Sequence, residues 1–340
     1  MHADEAVQPQ AIGPRKAQAT AVFAELASEP GVPKPDPILV VNNVVRRFGG
    51  LTAVNVEHVE IQRGSITALI GPNGAGKTTF FNQLTGFDTA DAGEWTFNGR
   101  PMKGVSAHKV ARQGMVRTFQ LTKALSKLTV LENMRLGAQG QRGENFLRAL
   151  VAGLWRGQEK EITERAEDLL RRFKLDAKSA DFAGSLSGGQ RKLLEMARAL
   201  MVEPELVMLD EPMAGVNPAL TQSLLGHVKD LREQGMTVLF VEHDMDMVRD
   251  ISDWVIVMAQ GSVIAEGPPD SIMSDPRVVD AYLGAHHDAP LSAEEEEQQL
   301  AEAEAALEAE AQGVADPADA ARPAPASVAE GTSRKEPGDD

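Results

Sequence analysis

Gly71-Pro72-Asn73-Gly74-Ala75-Gly76-Lys77-Thr78-Thr79 is the stretch that decides the fold class of this chain. It fills every fixed position of the pattern G-x-x-x-x-G-K-[ST], and its flanks are those the pattern needs. Ahead of it, Ile66-Thr67-Ala68-Leu69-Ile70 reads as a buried strand; behind it, Thr78 to Leu84 reads as the start of a helix. In a strand, loop and helix of this kind the backbone N–H groups converge and favour an anion, and glycine lets that backbone come close to a phosphate. Lys77 is then expected to meet the β- and γ-phosphates as a point charge. The Thr78 hydroxyl is expected to ligate Mg²⁺, an ion that keeps several waters and takes few protein oxygens.

Two further strands end in acidic residues. Leu206-Val207-Met208-Leu209 is an apolar run too short for a helix, closed by Asp210, Glu211 and Pro212, and reads as a buried parallel strand. Asp210 at its end is expected to hold Mg²⁺, directly or through water, and Glu211 to polarise the water that attacks the γ-phosphate. Neighbouring strand residues point to opposite faces, so the two carboxylates need not share one role. Thr237 to Val241 reads as another strand, delivering Glu242-His243-Asp244, where His243 can reach a γ-phosphate. Between the phosphate loop and the acidic strand lies Leu186-Ser187-Gly188-Gly189-Gln190. That order implies an ATP-driven motor.

With these pieces the chain resembles the nucleotide-binding subunits of ABC transporters over about residues 38 to 285. The resemblance implies an α/β fold, an ABC-type P-loop ATPase with a mainly parallel core sheet, an antiparallel β subdomain and a helical subdomain over about 121–202. It implies that Phe48 stacks on the adenine of ATP. Gln120 in Arg117-Thr118-Phe119-Gln120 becomes the glutamine that senses Mg²⁺ and γ-phosphate, and His243 the switch histidine. Ser187 and Gly189, with Gly188 and Gln190 in the same motif, would bind the γ-phosphate held by an opposite subunit. Two cassettes, identical or different, would thus close head to tail on two ATP molecules, and hydrolysis requires the dimer. The segment Met213-Ala214-Gly215-Val216-Asn217-Pro218 departs from many family members in lacking an aspartate, leaving Asn217 for the inter-subunit role. Asn217 and Pro218 also read as a helix N-cap followed by proline at the first helical position.

Within that family, four segments are similar to the larger ATPase subunit of branched-chain amino-acid importers. They are Arg46-Arg47-Phe48-Gly49-Gly50-Leu51-Thr52-Ala53-Val54, Arg117-Thr118-Phe119-Gln120, Ala214-Gly215-Val216-Asn217-Pro218 and Val241-Glu242-His243-Asp244-Met245. Val279-Asp280-Ala281-Tyr282-Leu283-Gly284 and the insertion between Gly137 and Lys160 fit the same subgroup. The resemblance implies integral membrane permease subunits as partners, a periplasmic or lipid-anchored substrate-binding protein acting indirectly, and a peripheral place on the cytoplasmic face of a bacterial cell membrane. Cassettes serving urea or short-chain amide uptake look much alike, because those partners choose the substrate. A soluble ABC ATPase of translation or DNA maintenance is the other class. Such proteins usually carry two cassettes or long coiled coils, and this chain has one cassette and no such insertion.

Composition fits a motor whose pore is another polypeptide. Cysteine is absent, which excludes a disulfide framework and a cysteine metal site. The first residues are polar and acidic, the Ala19 to Ala24 stretch is brief, and neither reads as a signal peptide. No segment approaches the roughly 18 to 20 apolar residues that cross a bilayer. The net charge of −16 is concentrated at the ends: residues 1–37 carry −2 and residues 288–340 carry −12, leaving −2 for the cassette. A nearly balanced core offers no field for nucleic acid, so no nucleic-acid partner is expected.

Residues 1–37, rich in proline around Pro33-Lys34-Pro35-Asp36-Pro37, read as a disordered leader dispensable for ATP chemistry. Inside the cassette, Val54 and Val56 with Val59 and Ile61 point to antiparallel strands covering the adenine side. Phe146 to Trp155 reads as a short apolar helix packed in the helical subdomain, and Pro218 to Glu233 as a core helix through Leu220, Leu224, Val228 and Leu231. From residue 286 an acidic tail follows, opening on a capping box at Ser292-Ala293-Glu294-Glu295 and reading as solvated and partly disordered. Exposed charges are screened within roughly 8 Å at physiological salt, so truncation after His287 is expected to leave ATP affinity unchanged. Nucleotide titration of the shortened, folded chain checks this, and a large loss of affinity would contradict it.

Overall fold

The computed structural model describes residues 14–118, 125–138, 156–216 and 218–285. The expectations for Gln120, for the helix at Phe146 to Trp155, for Asn217 and for the tail fall outside these residues.

The elements follow in chain order. Helix α1 (Pro14–Ala24) precedes strands β1 (Pro37–Phe48), β2 (Leu51–Gln62) and β3 (Ile66–Ile70), then α2 (Lys77–Leu84), β4 (Ala92–Phe97) and β5 (Arg100–Pro101). Next come α3 (Ala107–Arg112), β6 (Met115–Arg117), α4 (Val130–Arg135), α5 (Arg156–Arg172) and α6 (Gly188–Ala199). The remainder is β7 (Leu206–Asp210), α7 (Pro218–Glu233), β8 (Thr237–Val241), α8 (Met245–Ile251), β9 (Trp254–Ala259), β10 (Ser262–Gly267), α9 (Pro269–Met273) and α10 (Pro276–Ala285).

One sheet has the order β10-β9-β3-β8-β7-β6 and is parallel except for the β9–β10 hairpin. Strands β3, β7 and β8 are buried at every position, which is why each reads as a nearly continuous apolar run with no alternation. The second sheet, β2-β1-β4-β5, is antiparallel. Its buried positions change parity between Val56 and Val59 without a slip in the β1–β2 pairing there. Asn43, opposite the changeover, takes φ +50, and Gly93 on β4 takes φ +87 beside it. A Cβ at Gly93 would sit 2.2 Å from the Asn43 carbonyl oxygen, so only glycine permits this crossing. Of the predicted stripe on α7, Leu224, Val228 and Leu231 are in the core, while Leu220 is half-buried. Helices α4, α5 and α6 pack together through Val130, Met134, Ala166, Leu170, Leu194 and Ala197.

The disordered leader expected over residues 1–37 is corrected for residues 14–37. Helix α1 buries Ala19 and Phe23, and the Phe23 ring stacks on Trp254 with centroids 4.9 Å apart. The proline-rich segment then runs as a strap across β9 and β10. Its anchor is Glu266, a carboxylate with 0% exposure. Glu266 accepts hydrogen bonds from the Val32 amide at 2.8 Å, from Lys34 Nζ at 3.3 Å and from Trp254 Nε1 at 3.0 Å. The Lys34 ammonium also lies 4.6 Å from the centre of the Trp254 ring, and the Lys34 amide donates to Glu60 at 2.6 Å. A buried carboxylate needs such donors, and two of the three come from the strap. Proline here directs an extended path and leaves no disorder behind it. Replacing Lys34 by Met leaves Glu266 without its counter-charge and is expected to cost about 3 kcal/mol of stability. Urea unfolding measures it, and a cost below about 1 kcal/mol would show that the strap is not structural.

Candidate functional site

The phosphate loop leaves the carboxyl end of β3 and enters α2, and two of its glycines are demanded by backbone crowding. Gly71 has φ +146, and a Cβ there would lie 2.0 Å from the Met258 carbonyl oxygen. Gly76 has φ +95, with a Cβ position 2.2 Å from the Ala53 carbonyl oxygen. The loop is thus wedged between β2 and β9, and the Gly261 amide donates to the Ala75 carbonyl at 3.0 Å. Gly76 is also the N-cap of α2, and no side chain caps that end. The first amides of α2 therefore have no capping side chain in competition for an anion. Lys77 Nζ donates to the carbonyls of Gly71 at 2.6 Å and Pro72 at 3.0 Å. Burial pulls its pKa down, opposed by the charges of Glu211 and Asp210.

A cleft of about 730 Å³ opens over this loop, lined by Asn73 through Thr79, by Glu211 and by Phe48. Phe48 is 50% exposed and presents its ring to the cleft. The Arg46 guanidinium lies 4.6 Å from the ring centre and is fixed by Asp88 at 2.8 Å and Asp91 at 2.9 Å. That arrangement suits a planar, electron-rich ring system in the cleft. The close-packed loop, the ammonium and the aromatic wall together fit a nucleoside triphosphate.

The two acidic residues separate in position, Asp210 ending β7 and Glu211 opening the turn beyond it. Glu211 lines the cleft with φ +44, a left-handed conformation that costs a non-glycine residue about 1 kcal/mol or more. Asp210 does not line it. Its Oδ2 accepts from Arg117 Nη2 at 2.6 Å, and Arg117 Nη1 donates to Asn82 on α2 at 2.6 Å. Arg117 thereby ties β6, β7 and α2 into one unit. His243 is exposed, its Nδ1 3.7 Å from Glu242, and it does not reach the cleft lining. Glu242 is buried and accepts from the Met213 amide at 3.0 Å; burial raises its pKa, and that hydrogen bond opposes the rise.

Sequence reasoning assigned no role to Arg117 or Glu242 individually. The only signal for either was a charged residue directly at the end of an apolar strand.

Ser187 is the N-cap of α6 and forms a capping box with Gln190. Its hydroxyl accepts from the Gln190 amide at 3.2 Å, and the Gln190 side chain accepts from the Ser187 amide at 3.0 Å. A Cβ at Gly189 would meet Leu220 Cδ2 at 1.6 Å, so the end of that half-buried side chain would have to shift to admit one. Gly188 has no such neighbour, its nearest approach being Arg191 at 3.9 Å. None of residues 187 to 190 lines the cleft that holds the phosphate loop.

The chain matches the family model for ABC transporters over residues 54–214 and that for branched-chain amino acid ATP-binding cassette transporters over 262–288. A probable branched-chain amino acid transport ATP-binding protein, LivG, of Archaeoglobus fulgidus is 46% identical over 248 residues, covering 73% of this chain and 96% of that protein. This chain belongs to the ABC transporter ATP-binding family. The high-affinity branched-chain amino acid transport ATP-binding protein BraF of Pseudomonas aeruginosa is 42% identical, with 73% and 98% covered. The crystal structure of an ABC transporter cassette in its ADP conformation superposes with a TM-score of 0.63 at 38% identity, covering 73% of this chain and 99% of that one. The cassette is therefore a nucleotide-binding ATPase that drives transport, of the α/β class expected.

In this ABC cassette three adjacent strands, β3, β8 and β7, deliver the phosphate loop, His243 and the Asp210–Glu211 pair to one end of the sheet, where open α/β sheets bind ligands. Losing the one ammonium in the phosphate loop removes a charge-assisted contact, so Lys77→Ala is expected to weaken ATP binding about tenfold to a hundredfold. Titration with a fluorescent ATP analogue reads the change, and wild-type affinity in a folded variant would remove Lys77 from the site.

Proposed function

We propose that this ABC ATPase powers uptake of branched-chain amino acids, seated peripherally on the cytoplasmic face of a cell membrane beneath integral membrane permease subunits. A second ATP-binding subunit, identical or different, completes the site. The observation that carries the reading is the pairing of a phosphate-loop cleft with a separately exposed, capped Ser187 on α6. The relatives' names and the family model over 262–288 support the substrate class. A substrate-binding protein, periplasmic or lipid-anchored, delivers the amino acid to the permease. Among the described residues no helix is long and apolar enough to cross a membrane.

Phe48 stacks on adenine, and Gly71, Pro72, Asn73, Gly74, Ala75, Gly76, Lys77, Thr78 and Thr79 hold the phosphates of ATP. Thr78 and Gln120 would hold Mg²⁺, with Asp210, which stands outside the cleft lining, reaching it directly or through water, and the ion would supply positive charge to the triphosphate. Glu211 takes the proton of the attacking water as its oxygen bonds to the γ-phosphorus and the bond to the bridging β–γ oxygen breaks, releasing ADP. His243, which stands outside the cleft lining here, would have to turn toward the γ-phosphate to act as its switch. Ser187, Gly188, Gly189 and Gln190 face the nucleotide of the second subunit.

Glu211→Gln keeps the shape and removes the base, so ATP binding persists while turnover falls by about a hundredfold or more. The measurement uses the full chain purified with its co-expressed permease in proteoliposomes, followed by leucine, urea and acetamide uptake. Unchanged turnover would take Glu211 out of its role, and urea or amide uptake without leucine would replace the substrate.

A further inference from the structure

The turn after β7 is held from two sides by groups outside the cleft. On one side Lys192, in the second turn of α6, donates through Nζ to the Pro212 carbonyl at 3.1 Å and to the Ala214 carbonyl. On the other side the Met213 amide, lying between those carbonyls, donates to buried Glu242 at 3.0 Å. Three consecutive residues of the turn are thus gripped alternately by α6 and by the residue that follows β8. Within the turn, the Ala214 amide donates to the Glu211 carbonyl at 3.2 Å and the Val216 amide to the Met213 carbonyl at 3.2 Å. Its first residue is Glu211, in the left-handed conformation that a side chain adopts only where its surroundings over-determine it. Its own amide donates to the Val241 carbonyl at 3.1 Å, and Lys192 and Glu242 hold the three residues that follow it.

We propose that Lys192 is a positioning residue for Glu211, locking the turn that carries this carboxylate to the helix that begins at Ser187. The inference rests on the assignment of Glu211 as the group that polarises water. Its consequence is mechanical. The helix that begins at Ser187 and the turn that carries Glu211 are tied by one side chain, so a shift of either bears on the other. An ammonium suits this position because it is a compact donor that can serve two carbonyls at once, on a stem long enough to reach the turn from a separate helix. Its charge is favoured there by Glu242, Glu195 and Glu211, against the burial that lowers its pKa.

The test uses the full chain purified with its membrane subunits, carrying Lys192→Met, Lys192→Arg, Glu211→Gln or Lys192→Met with Glu211→Gln. Steady-state kcat and KM for ATP, nucleotide affinity and thermal unfolding are measured for each. A misplaced catalytic group costs about tenfold to a hundredfold, so Lys192→Met lowers kcat by that factor while ATP affinity stays within about threefold. Lys192→Arg keeps the donors and restores most of the turnover. The double variant is no slower than Glu211→Gln alone, because a lysine acting through Glu211 has nothing left to position. If Lys192→Met does not fold, Glu242→Leu, which releases Met213 from the other side, is carried through the same cycle.

Losses that multiply in the double variant, a change confined to KM, or normal kcat in Lys192→Met beside an impaired Glu211→Gln would each overturn the Lys192 proposal alone. Normal turnover in Glu211→Gln would instead remove the assignment of Glu211, and this inference with it.

Discussion

Val241 is the residue on which the site's geometry hangs. It pairs with Leu69 of β3 on one side and with Asp210 of β7 on the other, and its carbonyl accepts from the Glu211 amide at 3.1 Å. That register levels the carboxyl ends of three parallel strands. The phosphate loop begins one residue beyond Ile70, the acidic pair sits at the end of β7, and Glu242 and His243 follow Val241 directly. Slipping any of these strands by one residue would turn its side chains to the other face and scatter the charges. Burial of β3, β7 and β8 on both faces opposes the slip, because shifted side chains would no longer fit their close-packed neighbours and the charges at the strand ends would be drawn into the core.

Around that frame the acidic groups are each matched to a cation on a different element. Arg117 holds Asp210, Lys192 faces the turn between Glu211 and Glu242, and Lys77 lies in the field of Asp210 and Glu211. Pairing matters more here than on the surface, since a buried charge without a partner costs several kcal/mol. It also makes the site a network. Asn82 on the phosphate-loop helix, Arg117 at the end of β6 and Asp210 on β7 are joined by two bonds of 2.6 Å, so loop and acidic strand are not independent parts. The ATPase cassette thereby holds its triphosphate cleft ready while Glu211 remains in a strained conformation that packed neighbours maintain.

The strap adds a different kind of constraint. It closes over the far strands of the sheet by satisfying one buried carboxylate, Glu266, and by stacking Phe23 on Trp254. The relatives cover 73% of this chain, so the cassette they share does not account for its whole length. Stability of the β9–β10 side depends here on residues that precede β1.

Local pattern was enough for much of this protein. The phosphate loop, the apolar runs that became β3, β7 and β8, and the helix Pro218–Glu233 were legible because each is written in consecutive residues: a motif, a nearly continuous apolar stretch, a 3.6-residue stripe. The charge distribution, with its acidic tail, was equally a property of the sequence. Tertiary structure alone decided the rest. Proline content could not reveal that residues 14–37 are ordered, because the partner that orders them, Glu266, lies more than 200 residues away. The Arg117–Asp210 pair spans 93 positions, and Lys192 reaches carbonyls that carry no side-chain signature at all. Periodicity reports which face of an element is apolar. It does not report which distant charge a fold will bring against a buried one, and in this chain that choice sets the anchor of the strap and pairs Arg117 with Asp210.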